Sequence, residues 1–155
     1  MKPYTLRKNI IKPVLKAIDL YSQEAEDLLV GTACAESLCG KYRKQINGGP
    51  ALGIYQMEKR TAFDILQNYL TYRMDLKRKV IEFWDTSKDL GENLEKNDKF
   101  ATAMARVHYL RVKAAIPKDK KEMANYWKEY YNTRFGKGSP EEFLTKWNTI
   151  EGGIL

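Results

Sequence analysis

Apolar residues recur at three- and four-residue spacing along most of the chain, and that rhythm lapses chiefly over residues 38–57. The period is that of a helix, so the pattern commits the chain to a mainly α fold. Val14, Ile18 and Tyr21 form a first stripe, with Pro13 suited to a helix's opening turn. Ser22 reads as an N-cap, and Glu24, Glu26 and Asp27 place negative charge at the start of a helix that runs to about Ser37. Residues 38–50 are polar and glycine-rich and read as a loop. The run Ala51-Leu52-Gly53-Ile54-Tyr55-Gln56-Met57 is too short and glycine-broken for a helix and predicts a small hairpin near residues 51–56. Helical spacing resumes at Ala62, Ile65, Leu66, Tyr69 and Leu70, and again over residues 76–84. Phe100, Ala103, Met104, Val107, Leu110 and Ala114 predict a helix ending before Pro117, and Met123, Tyr126, Trp127, Tyr130 and Tyr131 predict the next, broken by Gly136 and Gly138. Ser139-Pro140-Glu141-Glu142 opens a last helix with its buried side at Phe143, Leu144 and Trp147. No stretch reads as a linker, so residues 1–155 are expected to form one domain.

Charge narrows the partners. The net charge of +7 suits nucleic acid, an anionic membrane surface or an anionic polymer such as a cell wall. The basic residues are dispersed, with no recognition-helix or zinc-finger pattern, so no specific nucleic-acid partner is expected. A solvated surface accounts for most of them, and steering toward an anionic polymer is the sharper reading. No apolar run is long enough to span a bilayer. Residues 1–16 are basic but lack an uninterrupted apolar stretch and a small-residue cleavage site, so no secretory signal is expected. Cys34 and Cys39 are too few for a disulfide framework and have no neighbouring histidine, which makes them packing residues rather than metal ligands. The single histidine, His108, sits on a helix flank and reads as structural.

Following the second helix from Leu29 by threes and fours leads through Thr32 and Ala33 to Glu36. The glutamate therefore points toward the side the helix buries. Burial favours the neutral carboxyl and raises its pKa, and the negative end of the helix acts the same way. Such a group can remain protonated near neutral pH and donate to a leaving oxygen, as the acid of a glycosidase does. A helix-end glutamate that caps or faces solvent is the competing reading from this spacing alone.

Ala35-Glu36-Ser37 is followed about a dozen residues later by Gly49-Pro50-Ala51-Leu52-Gly53-Ile54-Tyr55-Gln56-Met57, then by Arg60-Thr61-Ala62, and much later by Tyr131-Asn132-Thr133 near Gly136 and Gly138. In this order the motifs resemble the goose-type lysozyme and soluble lytic transglycosylase superfamily, in its short phage-encoded form, over residues 28–138. Two departures stand out. Glu58-Lys59-Arg60 fills the place where that family usually has a proline, and Thr133 follows Tyr-Asn where a small residue and Gly are usual.

The resemblance implies a lysozyme-like α+β fold, helices around a buried helix with a hairpin lining the cleft. It implies peptidoglycan glycan strands as substrate, with Glu36 as acid and later base at the bond between MurNAc and GlcNAc, and no metal or organic cofactor. Ser37 would fix the saccharide or the glutamate. Gly53, Tyr55 and Gln56 would belong to one cleft wall, Tyr131 would lie over Glu36, and Asn132 would hold its loop. The residues alone also allow Tyr131 as core and Gln56 as a strand-end cap. Glu58 and Asp64 are the candidates for a second carboxylate, and both read as surface or helix-start residues. A cell-wall fold without an export signal points to a phage virion or tail component, acting at the host wall beside other virion proteins. The alternative is a structural virion protein with little activity.

Overall fold

The computed structural model describes residues 1–133 and 136–153, and the backbone alone of Ile46. The protein is mainly helical, with a small two-stranded antiparallel sheet, as the periodicity predicts. Helix α1 covers residues 3–17 and α2 covers Gln23–Ser37. The strands β1 (Ala51–Leu52) and β2 (Met57–Glu58) follow, then α3 (residues 59–69), α4 (Met74–Ile81), α5 (Leu90–Lys96), α6 (Asp98–Leu110), α7 (residues 120–132) and α8 (Pro140–Glu151). Among the described residues, no helix is long and apolar enough to cross a membrane.

Local chemistry explains most boundaries. The Ser22 hydroxyl accepts from the Ala25 amide at 3.0 Å and starts α2, and the Ser139 hydroxyl accepts from the Glu142 amide at 3.2 Å and starts α8. Helix α1 begins at Pro3, ten residues earlier than Pro13 suggests, so Pro13 lies inside it. The chain accommodates this with a widened π turn at Arg7–Ile11, in which the Lys12 amide reaches back to the carbonyl of Arg7 just before the residue that has no amide to offer. Helix α6 stops at Leu110, short of Ala114. Helix α5 has no apolar stripe to announce it, only Leu90 and Leu94; it is nucleated by a capping box between Asp89 and Glu92.

Helix α2 lies at the centre. It packs most extensively on α8 and also touches α1, α6 and α7. Every residue from position 28 to position 35 is buried, so the helix has no solvent face for most of its length, as expected of a helix surrounded by others. Its approach to α8 is close. A methyl group on Gly31 would lie 2.3 Å from Cζ of Phe143 and 2.8 Å from the Trp147 ring. The hairpin is anchored at its turn in a similar way. Gly53 has φ +82°, and a side-chain carbon there would come within 1.8 Å of the Leu94 carbonyl oxygen, so the hairpin turn and α5 meet backbone to backbone.

The Gly31 contact has a measurable consequence. Alanine at position 31 gains about 1 kcal/mol in helix propensity but must displace Phe143 or Trp147, an overpacking that costs about 1–3 kcal/mol. A net loss of stability is expected in urea unfolding, recovered in part when Gly31→Ala is combined with Phe143→Leu, because the pair shares one contact.

Candidate active site

The site begins where α2 ends. Leu38, Cys39 and Gly40 are all left-handed, with φ of 51°, 59° and 92°. The Cys39 amide returns to the Ala33 carbonyl at 3.0 Å and the Leu38 amide to that of Cys34 at 3.2 Å, which closes the helix end. Two consecutive non-glycine residues in this region are strained, and Ser37 holds them. Its hydroxyl donates to the Ile54 carbonyl at 2.7 Å and accepts from the Gly40 amide at 2.8 Å. Ser37 is 1% exposed. It fastens the turn after Glu36 to the hairpin, and it has no free edge for a saccharide, which corrects that half of its expected role. Cys34 and Cys39 are buried free thiols in the same turn.

Glu36 retains a partly exposed edge. One carboxylate oxygen, Oε2, accepts from the Trp127 indole Nε1 at 3.0 Å. The Lys146 ammonium on α8 donates to the neighbouring Ala35 carbonyl at 3.3 Å. Burial pushes the Glu36 carboxyl up to about 7, against the opposing pull of the Trp127 donor and the Lys146 charge. The Tyr131 and Tyr109 phenols are close enough for the Glu36 charge to add to the burial that raises their own pKa values, so both stay protonated.

Tyr131 lies in a second π turn, Lys128–Asn132, at the end of α7. Its ring stacks on Tyr109 with centroids 5.2 Å apart, and His108 meets it edge-on at 4.9 Å. Its hydroxyl donates to the Tyr55 carbonyl at 2.6 Å, tying α7 to the hairpin. Tyr109 in turn bonds to Thr32 at 2.8 Å; because the Thr32 hydroxyl donates to the Leu28 carbonyl, Tyr109 is the donor. Tyr131 therefore lies beside Glu36 as part of an aromatic wall that reaches back to α2. The His108 imidazole is pushed down to about 4 by burial and by Arg111, whose guanidinium donates to Nδ1 at 2.8 Å.

The other hairpin residues take structural positions. Tyr55 is 1% exposed and its hydroxyl bonds to Thr102 at 2.8 Å, so its ring belongs to the core and only its carbonyl faces Tyr131. The expected substrate contact of the Tyr55 side chain is corrected accordingly. Gly53 is buried against Leu94 rather than open to a cleft. The Gln56 amide nitrogen donates to the carbonyls of Tyr42, Arg43 and Gly53 at 3.3, 3.1 and 2.9 Å, clamping the preceding loop, while its Oε1 accepts no bond among the described residues. Asn132 accepts from Lys128 at 2.8 Å, and Lys128 also reaches the Gly136 carbonyl at 2.9 Å, so it does steady its own loop. Glu58 is paired with Arg60 at 3.2 Å and Asp64 with Arg111 at 2.9 Å. Among the described residues, the groups that act on the Glu36 carboxyl are Trp127 and Lys146, not these carboxylates.

Three contributors escape sequence reasoning. Trp127 and Lys146 lie 91 and 110 positions beyond Glu36, and each reads as an ordinary member of its own helix. Arg43 grips Asp98 through both guanidinium ends at 2.5 and 2.9 Å and donates to the Glu95 carbonyl at 3.1 Å. Its own carbonyl accepts from the Gly53 amide at 2.5 Å, which joins loop, hairpin and the α5–α6 corner. Only its place in a polar, glycine-rich loop was legible. Comparison of the chain with protein-family models, with curated proteins and with solved structures gave no match.

The raised Glu36 pKa makes stability depend on pH with a definite sign. The unfolded carboxyl ionises near 4.5 and the folded one near 7, so between these values the folded chain holds the extra proton. The stabilising contribution of the protonated group is complete below about pH 4.5 and is lost as pH rises to about 7, a difference of about 3 kcal/mol. Urea unfolding at several pH values is expected to show wild type losing stability relative to Glu36→Gln across this window, with a constant gap above it.

Proposed function

We propose that this protein cleaves the MurNAc–GlcNAc β-1,4 bond of peptidoglycan, with Glu36 as the single acid and base, and that it does so as a lysozyme-like component of a phage particle. The observation that carries the reading is a carboxyl at the end of a buried helix that burial keeps half-protonated near neutral pH. A group with a pKa near the working pH is best placed both to give and to take a proton.

The proposed steps use this chain's own groups. Protonated Glu36 donates to the bridging oxygen, and the bond from the anomeric carbon to that oxygen breaks. The N-acetyl group of MurNAc supports the electron-poor carbon. Glu36, now a carboxylate, takes the proton of the MurNAc C6 hydroxyl as that oxygen closes on the anomeric carbon, giving a 1,6-anhydro end and returning Glu36 to its starting state. The engagement of Glu58 and Asp64 in pairs of their own supports one carboxylate rather than two. The neutral, donor-engaged Tyr131 phenol leaves Glu36 as the group at this wall that titrates near 7. The excess of basic residues favours approach to an anionic wall polymer.

Glu36→Gln is expected to lower release of soluble fragments from purified peptidoglycan by at least about 10²- to 10⁴-fold, with no loss in thermal stability. Mass spectrometry of wild-type products is expected to show 1,6-anhydro ends. Products with reducing ends only would point to a hydrolase. A Glu36→Gln protein as lytic as an active wild type would remove Glu36 as the acid and base, and a wild type without lytic activity would remove the enzymatic reading in favour of a structural virion role.

A further inference from the structure

The two Glu36 oxygens are not equivalent. Oε2 is held by the Trp127 indole at 3.0 Å, whereas Oε1 accepts no hydrogen bond among the described residues. The indole has one proton and no acceptor, so it can serve the carboxyl only by donating. Trp127 is also fixed in place. It is 2% exposed and its ring lies 5.3 Å from that of Phe143 on α8. On another side is Gly138, in the segment between α7 and α8. A methyl group at Gly138 would come within 2.5 Å of the far edge of the indole, Cη2, and 3.2 Å of the Asn132 amide nitrogen. Gly138 does not have a left-handed backbone, so the requirement for glycine there is one of space rather than conformation.

We propose that Trp127 is the positioning residue of Glu36: its indole pins Oε2 so that Oε1 alone meets the reacting oxygens, and the missing side chain at Gly138 is the gap that lets the indole lie there. This rests on reading Glu36 as the acid and base. The physical argument is one of orientation. A free carboxyl can rotate and exchange its oxygens, and a proton on the wrong one is unavailable to the leaving group. Anchoring one oxygen removes that freedom before substrate arrives. The same bond favours the carboxylate, as does the Lys146 charge, and together they oppose burial. The other groups facing this carboxyl do not compete over the relevant range. Tyr109 and Tyr131 stay protonated, and His108, edge-on to Tyr131, titrates near 4.

The test reads the contact itself as well as the activity. In wild-type protein labelled with 15N and 13C, the Trp127 indole N–H resonance is expected to titrate with the midpoint of the Glu36 carboxyl carbon, and this titration is expected to vanish in Glu36→Gln. Trp127→Phe is expected to raise the Glu36 midpoint by about one pH unit, since a donor to the charged form is lost. It is also expected to lower kcat by roughly 10-fold or more with little change in KM. Gly138→Ala is expected to move the midpoint the same way by less. An indole resonance that ignores the Glu36 titration, or an unmoved midpoint in Trp127→Phe, overturns the proposal. The wild-type titration decides the matter even if Trp127→Phe does not fold. Failure of the reading this rests on is distinguishable, because it appears as no lysis by wild type, or full lysis by Glu36→Gln, while the wild-type indole and carboxyl still titrate together.

Discussion

Phe143 of α8 touches two things at once. On one side its ring meets the bare backbone of Gly31 on α2, and on the other it lies against the indole of Trp127, which in turn holds Glu36. The candidate site depends on this contact. Were α2 and α8 held apart by a side chain at position 31, the ring would have to move, and the indole behind it. The geometry of one carboxyl oxygen is thus linked through two aromatic rings to the absence of a methyl group about one and a half turns earlier in the same helix. Close-packed interiors transmit displacements in this way because they have few voids to absorb them.

Burial of α2 also makes the chemistry. A carboxyl at the end of a helix with a broad solvent face would keep water around it and an ordinary pKa. Here the helix is enclosed from position 28 to position 35, and the chain after Glu36 turns at once through three left-handed residues into a loop fastened by Ser37 and Arg43. The polar side chains of the hairpin and loop serve this closure. Ser37, Tyr55, Gln56 and Arg43 bond to backbone carbonyls, amides or core partners, so the wall beside Glu36 is a rigid one. Strain in the turn is offset by those bonds, which fix the direction in which the glutamate leaves the helix.

The helices and their caps were legible because they are local. Ser22 and Ser139 are read from the few residues that follow each of them, and both cap as the sequence says. Misreadings came where a non-local contact overrides a local rule. Pro13 looks like a helix start, yet α1 runs through it on a π turn. Helix α5 has almost no apolar stripe, and its burial beneath β1 and α3 could not be foreseen from residues 90–96. Tyr55 and Ser37 sit in motifs that point to a cleft, but the fold turns both inward. The stripe through Leu29, Thr32, Ala33 and Glu36 suggested one buried face, where the helix is buried all round.

By itself the sequence determined the mainly helical class, the interruption that becomes the hairpin, and the choice of Glu36 as the residue to watch. Periodicity, capping and turn chemistry act over a few residues, so one sequence suffices to read them. The tertiary structure alone decided what surrounds that glutamate. Trp127 and Lys146 come to it from helices 91 and 110 positions away, beside Tyr131, which the motif resemblance leads one to expect there. The elevation of its pKa is a property of desolvation, held in check by the Trp127 donor and the Lys146 charge, rather than of the glutamate itself. The local stripe points to its direction but not to its size, because the energy of a charge is set by everything packed within a few ångströms of it, and that is fixed only when the helices meet.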